Sequence, residues 1–205
     1  MTGYVLVNLK EMIKELGEEK VKTILSNFSC PINKDVEIFI TSQSKAIEFA
    51  KQGIAATHLV FTSYKDELVL IGYFSLANKY FSIDLSAMTK SFRQRLNKFA
   101  QYDKESKKHY ITAPLLAQLG KNFNNGYDRL ISGDELLKIA CDKIYDIQLN
   151  LGGKVIYVEC EDNEKLMEFY KSNGFRFFAK RTLDKHERSN TDSTELMQLL
   201  RYENG

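Results

Sequence analysis

The chain has 205 residues, of which 43% are hydrophobic and 27% charged, and its formal net charge is only +2. These values are typical of a globular protein that buries a core, and the small charge does not by itself indicate a nucleic-acid-binding protein. No apolar run reaches the roughly 18 residues of a membrane span, and the N-terminal segment resembles neither a signal peptide nor a transit peptide. The separated Cys30, Cys141 and Cys160 fit neither a disulfide framework nor a zinc site. We therefore expect a cytoplasmic protein with no metal and no membrane contact.

The first part of the chain is predicted to form helices followed by a hairpin. Apolar residues recur at helical spacing over residues 8–28, and Gly17 divides that segment into two short helices. A further helix is predicted over residues 42–52. Two β-rich runs around a polar Tyr-Lys-Asp-Glu turn predict a hairpin over residues 57–77.

Residues 84–108 form a predicted helical insert with a basic face. Its apolar residues are spaced by three and four, as in an amphipathic helix. Within 90–108, seven basic residues stand against two acidic ones, a local excess of five positive charges: Lys90, Arg93, Arg95, Lys98, Lys104, Lys107 and Lys108. Such a run is usually a solvated face, and the alternative is a surface for an acidic partner or substrate.

The middle of the chain predicts a strand, a helix and a second strand. The strand covers residues 109–120, and the helix covers 132–153 and opens with the capping-box pattern S-x-x-E at 132–135. A second strand follows at 154–161. A crossover of this length joins parallel strands, so we expect these two strands to be parallel.

The last part of the chain predicts a short helix and two strands. The segment VECEDNEKLMEFYKSNGF, residues 158–175, reads as a strand end, a short helix and a glycine stop. Strands are predicted at 176–183 and 195–202, around a polar loop. The expected fold class is α/β (α+β), a single domain over 1–205 with a mixed, mostly antiparallel sheet, one parallel pair and helices on both faces.

The segment 158–175 resembles the GNAT superfamily of acetyl-CoA-dependent N-acetyltransferases, and the resemblance extends over about residues 35–202. The family pattern is a strand, an Asn, a helix and then Phe-Tyr-x-x-x-Gly-Phe. The resemblance implies that Tyr170 protonates the departing CoA thiolate and that Asn163 contacts the CoA arm. From the residues alone, Asn163 is also a typical helix N-cap and Tyr170 a typical packing residue.

A second stretch, Pro-Leu-Leu-Ala-Gln-Leu-Gly-Lys at 114–121, is similar to the fourth strand of that family. In the family this strand splays away from the fifth, and its free backbone groups bind the pantetheine arm. The resemblance implies this role for the backbone of Leu119, Gly120 and Lys121. A broken ladder also explains how Pro114, which lacks a backbone donor, is accommodated.

The family's pyrophosphate loop, Gln/Arg-x-x-Gly-x-Gly/Ala, is matched only at its last glycine by Asp-Arg-Leu-Ile-Ser-Gly at 128–133. The helix that begins at Ser132 and Gly133 still offers N–H groups and a dipole that favour a phosphate. Arg129 and Lys121 are candidate cations for it. Two acidic residues in the first helical turn oppose an anion there.

Candidate general bases are Glu159 and Glu161, at the end of the strand that precedes the short helix. The resemblance implies an N-acetyltransferase that moves an acetyl group from acetyl-CoA to a primary amine by direct attack in a ternary complex. The acceptor is a small-molecule or macromolecular amine, with RNA a candidate partner through residues 90–108 and a homodimer a candidate assembly.

Two other interpretations stay open. The stretch Gly-Tyr-Phe-Ser-Leu-Ala at 72–77 resembles the third strand of acetyltransferases encoded beside antitoxins. This favours a toxin-like acetyltransferase acting on aminoacyl-tRNA. The missing loop glycines instead favour a non-catalytic GNAT-like binding module.

Overall fold

The computed structural model describes residues 3–41, 45–86, 88–183 and 194–203. Its strands are β1 (Tyr4–Asn8), β2 (Ala56–Tyr64), β3 (Glu67–Ile83), β4 (Ala100–Asp103), β5 (Lys108–Lys121), β6 (Val155–Cys160), β7 (Arg176–Thr182) and β8 (Glu195–Tyr202). Its helices are α1 (Leu9–Leu16), α2 (Glu18–Leu25), α3 (Lys34–Thr41), α4 (Lys45–Gln52), α5 (Lys90–Leu96), α6 (Gly133–Leu151) and α7 (Glu164–Ser172), and a 3-10 helix covers Asn124–Leu130.

The strands form one eight-stranded sheet in the order β1-β2-β3-β5-β6-β8-β7, with β4 paired to β5. The sheet is mostly antiparallel with one parallel pair. β5 and β6 are neighbours joined through α6, the kind of crossover that parallel strands need. The tight turn of the β2–β3 hairpin places Lys65 and Asp66 at positive φ, as in the mirror-image turns that match strand twist. The predicted mixed α/β fold is confirmed.

Four of the described elements were not predicted from the sequence: β1, α3, β4 and the 3-10 helix at Asn124–Leu130. β1 lies at the sheet edge and leaves Val5 and Leu6 exposed, so it lacks an alternating apolar pattern. β4 is four residues long and exists by pairing with β5. The predicted helical insert 84–108 is therefore helical only at Lys90–Leu96, and a strand follows. Residues 42–44 of the predicted helix, and most of the polar loop before β8, lie outside the described residues.

The described residues divide by their contacts into two compact units, the first drawn from 1–77 and 116–141. Its core packs apolar faces of α1–α4 against β2 and β3. Tyr73 lies fully buried in this core, with its ring 5.1 Å from that of Phe28 in an edge contact. Its hydroxyl donates a hydrogen bond to the Val36 carbonyl oxygen at 2.6 Å, so the buried phenol is satisfied.

The second unit is drawn from 78–115 and 142–205, and it has a separate core. The ring of Phe81 stacks on Tyr157 at 4.1 Å, and Phe178 packs against both. Gln148 on α6 donates from its side chain to the Val155 carbonyl oxygen at 2.9 Å, which ties the helix to the start of β6.

In the part of the chain that the structure describes, no helix combines the length and apolar character of a membrane span. The same residues contain no group of three His, Cys, Asp or Glu side chains placed to hold a metal ion. Cys30, Cys141 and Cys160 are buried, and none of the three forms a disulfide with another described residue.

Candidate active site

The junction between β6 and α7 carries the residues that the sequence motif singled out. Asn163 is the N-cap of α7, and its Oδ1 accepts hydrogen bonds from the amides of Lys165 at 3.0 Å and Leu166 at 3.2 Å. This satisfies two of the orphan donors at the helix start, so the capping role is confirmed. Gly174 ends the segment at φ 84°, a left-handed conformation that favours glycine.

Tyr170 lies on α7 and is 8% exposed. Its ring makes edge contacts with Phe169 at 5.1 Å and Phe175 at 5.5 Å. The aromatic cluster fixes the ring, which is the condition for a phenol that must present its proton at one place. The role of Tyr170 as an acid stays a prediction.

Glu159 lies at the centre of a buried hydrogen-bond network in the second unit. Arg181 donates from Nε to Oε1 and from Nη2 to Oε2, both at 2.8 Å, in a bidentate ion pair. The Tyr157 hydroxyl donates to Oε1 at 2.5 Å, and Gln198 donates to the Tyr157 hydroxyl. The side chain of Glu159 is 9% exposed, so solvent screens this pair little.

The network changes the acidity of two of its members. Burial raises the pKa of Glu159, but the hydrogen bonds from Arg181 and Tyr157 and the Arg181 charge outweigh it, so the pKa lies below its usual 4.5. Burial and the neighbouring Glu159 charge raise the pKa of Tyr157. A carboxylate held in this way is a weak proton acceptor.

Glu161 follows β6 and is partly exposed, unlike Glu159. Between the two, Cys160 is buried, and burial together with the charges of Asp162 and Glu161 raises the pKa of its thiol to about 11. Cys160 is therefore a protonated core residue and does not serve as a nucleophile.

Near the end of β5, in the first unit, two glycine positions leave no room for a side chain. A Cβ added to Gly120 would lie 2.2 Å from Cγ1 of Val36, and one added to Gly72 would lie 3.0 Å from the Gly120 carbonyl oxygen. Leu119 and Lys121 on either side are partly buried, and the Lys121 ammonium donates to the Asp128 carbonyl oxygen at 2.9 Å.

Asn122, which the sequence motifs did not indicate, fixes the chain directly after β5. It is 2% exposed. Its Oδ1 accepts from the amides of Ser29 and Asn124, and its Nδ2 donates to the Leu70 carbonyl oxygen at 2.8 Å. Partners 93 and 52 residues away leave no local sequence signal for this role.

The start of α6 has the predicted capping box. The Glu135 carboxylate accepts from the Ser132 amide at 2.8 Å, and the Ser132 hydroxyl accepts from the Glu135 amide at 3.1 Å. The hydrogen bond from the Ser132 amide lowers the pKa of Glu135. Two amides that a phosphate would use are thus engaged, and an anionic carboxylate lies beside Gly133. Arg129, in the preceding 3-10 helix, is exposed.

No family model and no curated protein sequence matches the chain. Solved structures match it over nearly its whole length. A Tyr-to-Phe mutant of KacT gives a TM-score of 0.60 at 13% identity, covering 96% of this chain and 94% of that chain. AtaT complexed with acetyl-methionyl-tRNAfMet gives 0.58 at 18% identity, covering 95% and 94%.

A mutant AtaT toxin bound to acetyl-CoA and the C-terminus of the antitoxin AtaR gives a TM-score of 0.57 at 17% identity, covering 97% of this chain and 92% of that chain. The chain has the GNAT fold. This confirms the fold that the motif at 158–175 predicted.

Within the GNAT fold, the predicted site residues fall into both compact units. The first unit contains Leu119, Gly120, Lys121, Arg129, Ser132 and Gly133, and the second contains Glu159, Glu161, Asn163 and Tyr170. The structure brings Glu159 into contact with Arg181 and Gln198, neither of which the sequence indicated.

Proposed function

We propose that this protein transfers the acetyl group of acetyl-CoA to the amine of an aminoacyl-tRNA. The observation that carries the proposal is Tyr170, fixed on the helix that follows β6 in a chain with the GNAT fold. Neighbours of the same fold support the choice of substrates, because AtaT structures contain acetyl-CoA or acetyl-methionyl-tRNAfMet. The excess of basic residues in 90–108 suits an RNA acceptor.

In the proposed reaction, the amine nitrogen attacks the thioester carbonyl carbon. A C–N bond forms, and the C–S bond breaks as the tetrahedral intermediate collapses. The Tyr170 hydroxyl gives its proton to the leaving thiolate, for which a positioned phenol is a suitable acid. The amine loses its proton to Glu161 or to water. Glu159 is the weaker candidate base, because Arg181 holds its carboxylate in an ion pair.

The cosubstrate contacts are proposed separately for each unit. In the second unit, Asn163 caps α7 and the CoA arm binds beside the same end of that helix. In the first, the backbone of Leu119–Lys121 binds the pantetheine arm. The phosphates lie near Ser132 and Gly133, where Arg129 and Lys121 offset the negative charge of the first helical turn.

Acetyl transfer to RNA tests the proposal directly. The protein is mixed with acetyl-CoA carrying a labelled acetyl group and with total aminoacyl-tRNA, deacylated tRNA or free amino acids. We expect label only on aminoacyl-tRNA and its release by mild base, which cleaves the ester that joins amino acid to tRNA. Label on free amino acids instead would indicate a small-amine acetyltransferase.

One observation favours a second function, a GNAT-like binding module without catalysis. The Glu135 carboxylate occupies the helix start where the family binds pyrophosphate. Thermal unfolding with and without CoA separates the two functions. A ligand at about 100 times its Kd stabilises the folded state by about 2.7 kcal/mol, so no shift at saturating CoA would favour the binding module.

A further inference from the structure

An open pocket of about 340 Å³ lies in the second unit, outside the residues assigned above. We call it the aromatic pocket, and it is lined by Met88, Thr89, Phe92, Arg176, Phe177 and Phe178. Its volume is within the range of about 300–1,000 Å³ that small-ligand pockets have. None of the lining residues is acidic and Arg176 is cationic, so the charge of the lining disfavours a cationic ligand.

A bulge in β7 explains how three consecutive residues line one pocket. Phe177 pairs with Leu199 and Ala179 pairs with Gln198, so Phe178 is an extra residue between them. A bulge of this kind re-aims side chains that would otherwise alternate between the two faces. Phe178 is partly buried and packs against the core of the second unit, while Phe177 remains 42% exposed.

Arg176 contributes a planar, positively charged guanidinium to the lining of the pocket. Its guanidinium carbon lies 4.6 Å from the centroid of the Phe92 ring, a cation–π contact that holds the group in place. Within the described residues, Arg176 has no carboxylate partner. A guanidinium without a counterion is available to an anionic or aromatic ligand, on which its planar face can stack.

The α5 helix adds positive charge beside the pocket. Lys90 and Arg93 are exposed on that helix and flank the pocket residues Thr89 and Phe92 in sequence. An exposed aromatic ring, a planar guanidinium and neighbouring basic side chains are the elements that bind unpaired nucleic acid, where bases stack and phosphates meet cations.

We propose that the aromatic pocket holds an unpaired nucleotide of an RNA. Its base stacks on Phe177 and on the guanidinium of Arg176, and its phosphates meet Lys90 and Arg93. The proposal names where the acceptor RNA binds. It rests on the proposed function for the identity of that RNA. The interaction itself is measurable without acetyl-CoA.

The test measures binding of a fluorescently labelled single-stranded RNA oligonucleotide by anisotropy, with a blunt duplex of the same length for comparison. We expect the single strand to bind more tightly than the duplex. Phe177→Leu keeps the apolar bulk but removes the ring face. Because one base–aromatic stack is worth about 5- to 100-fold in affinity, this variant should weaken single-strand binding by that factor.

The charge side of the proposal is tested by the salt dependence. Phe177→Leu should leave the slope of log affinity against log salt unchanged, whereas Lys90→Gln with Arg93→Gln should reduce it by about one for each phosphate that the protein no longer neutralises. Arg176→Lys keeps the charge but not the planar group, so it should weaken affinity without changing the slope. Lys180→Gln, on the same strand but outside the pocket, is the matched control.

Equal affinity of Phe177→Leu and the unaltered protein for single-stranded RNA would overturn the proposal, as would equal binding of the duplex or no RNA binding at low salt. Concentration-dependent self-association that Phe177→Leu abolishes, without RNA binding, would assign the pocket to a second copy of the chain. Acetyl transfer to aminoacyl-tRNA by the unaltered protein, together with unchanged RNA affinity in the pocket variants, would overturn the pocket alone. Retained RNA binding without acetyl transfer would support the pocket and overturn the proposed function alone.

Discussion

The predicted site residues lie at two strand-to-helix junctions, β6–α7 and β5–α6. The two junctions differ in the charge of the side chain that caps the helix. At β6–α7 the helix cap is the neutral Asn163, and the nearby carboxylate of Glu159 is neutralised by Arg181. At β5–α6 the helix cap itself brings the carboxylate of Glu135. Both carboxyl groups have lowered pKa values, but for different reasons.

The difference between the two carboxylates is one of burial. Glu159 is nearly buried, so solvent screens its ion pair with Arg181 only weakly. Removing one partner of such a pair costs more stability than removing one partner of an exposed pair. Glu135 is exposed, so its hydrogen bond to the Ser132 amide stabilises the helix start only modestly. The direction of a pKa shift therefore does not tell how much a carboxylate contributes to stability.

The largest expected effect concerns Tyr170 on α7, the proposed general acid. Tyr170→Phe should lower kcat by about 10²- to 10⁴-fold, the usual contribution of a general acid. The affinity for acetyl-CoA should stay nearly constant, since the hydroxyl is needed in the transition state. Steady-state acetyl transfer, with CoA binding by calorimetry, measures both.

Tyr145→Phe is the matched control for this prediction, because Tyr145 is an exposed tyrosine on α6. The ring of Tyr170→Phe keeps its packing against Phe169 and Phe175, so the free energy of unfolding should change by about 1 kcal/mol or less. An equally active Tyr170→Phe protein would remove Tyr170 from the mechanism and leave water as the proton source.

The second prediction concerns Glu159, whose replacement should destabilise the folded state. Glu159→Gln removes the negative charge that the Arg181 guanidinium pairs with in this nearly buried network, and it should lower the free energy of unfolding by about 3 kcal/mol. Asp162→Asn is the control, since the exposed Asp162–Lys180 pair is worth about 1 kcal/mol or less. Urea denaturation checks both variants, and equal stability losses would contradict the role of burial.

The third prediction uses the pH dependence of the same pair. The folded-state pKa of Glu159 lies below its usual 4.5, so the carboxylate contributes stability that is full above that value and is lost as the pH falls through the folded-state pKa. The stability difference between the unaltered protein and Glu159→Gln should thus be largest near neutral pH and shrink below 4.5. A difference that stays constant under acid conditions would show that altered packing causes it.

The smallest expected effect concerns the acidic start of α6. Asp134→Asn removes a negative charge from the first helical turn and should tighten CoA binding by about two- to five-fold, as expected for one charge near a helix N-terminus. Asp146→Asn removes the same charge farther along α6 and should change nothing. If Asp134→Asn leaves the Kd unchanged in calorimetry, the phosphates do not lie at this helix start.

The features that the sequence predicted well are those with partners a few residues away. The capping box of Ser132 and Glu135 and the cap of Asn163 join residues two or three positions apart, so residue type and spacing encode them directly. The helices divided at Gly17, the β2–β3 hairpin and the β6–α7 motif follow from the same local rules. The site roles of Tyr170, Glu161 and the β5 backbone remain predictions, because they depend on a substrate.

By itself, then, the sequence determined the helix starts, the glycine stops and the motif that marks the GNAT fold. Only the tertiary structure decided that Glu159 pairs with Arg181, because the strand order β6-β8-β7 brings together residues 22 positions apart. It also decided that Asn122 anchors β5, that β4 exists, and that a bulge turns Phe177 toward the aromatic pocket. Such contacts depend on strand pairing and register, which the local sequence does not encode.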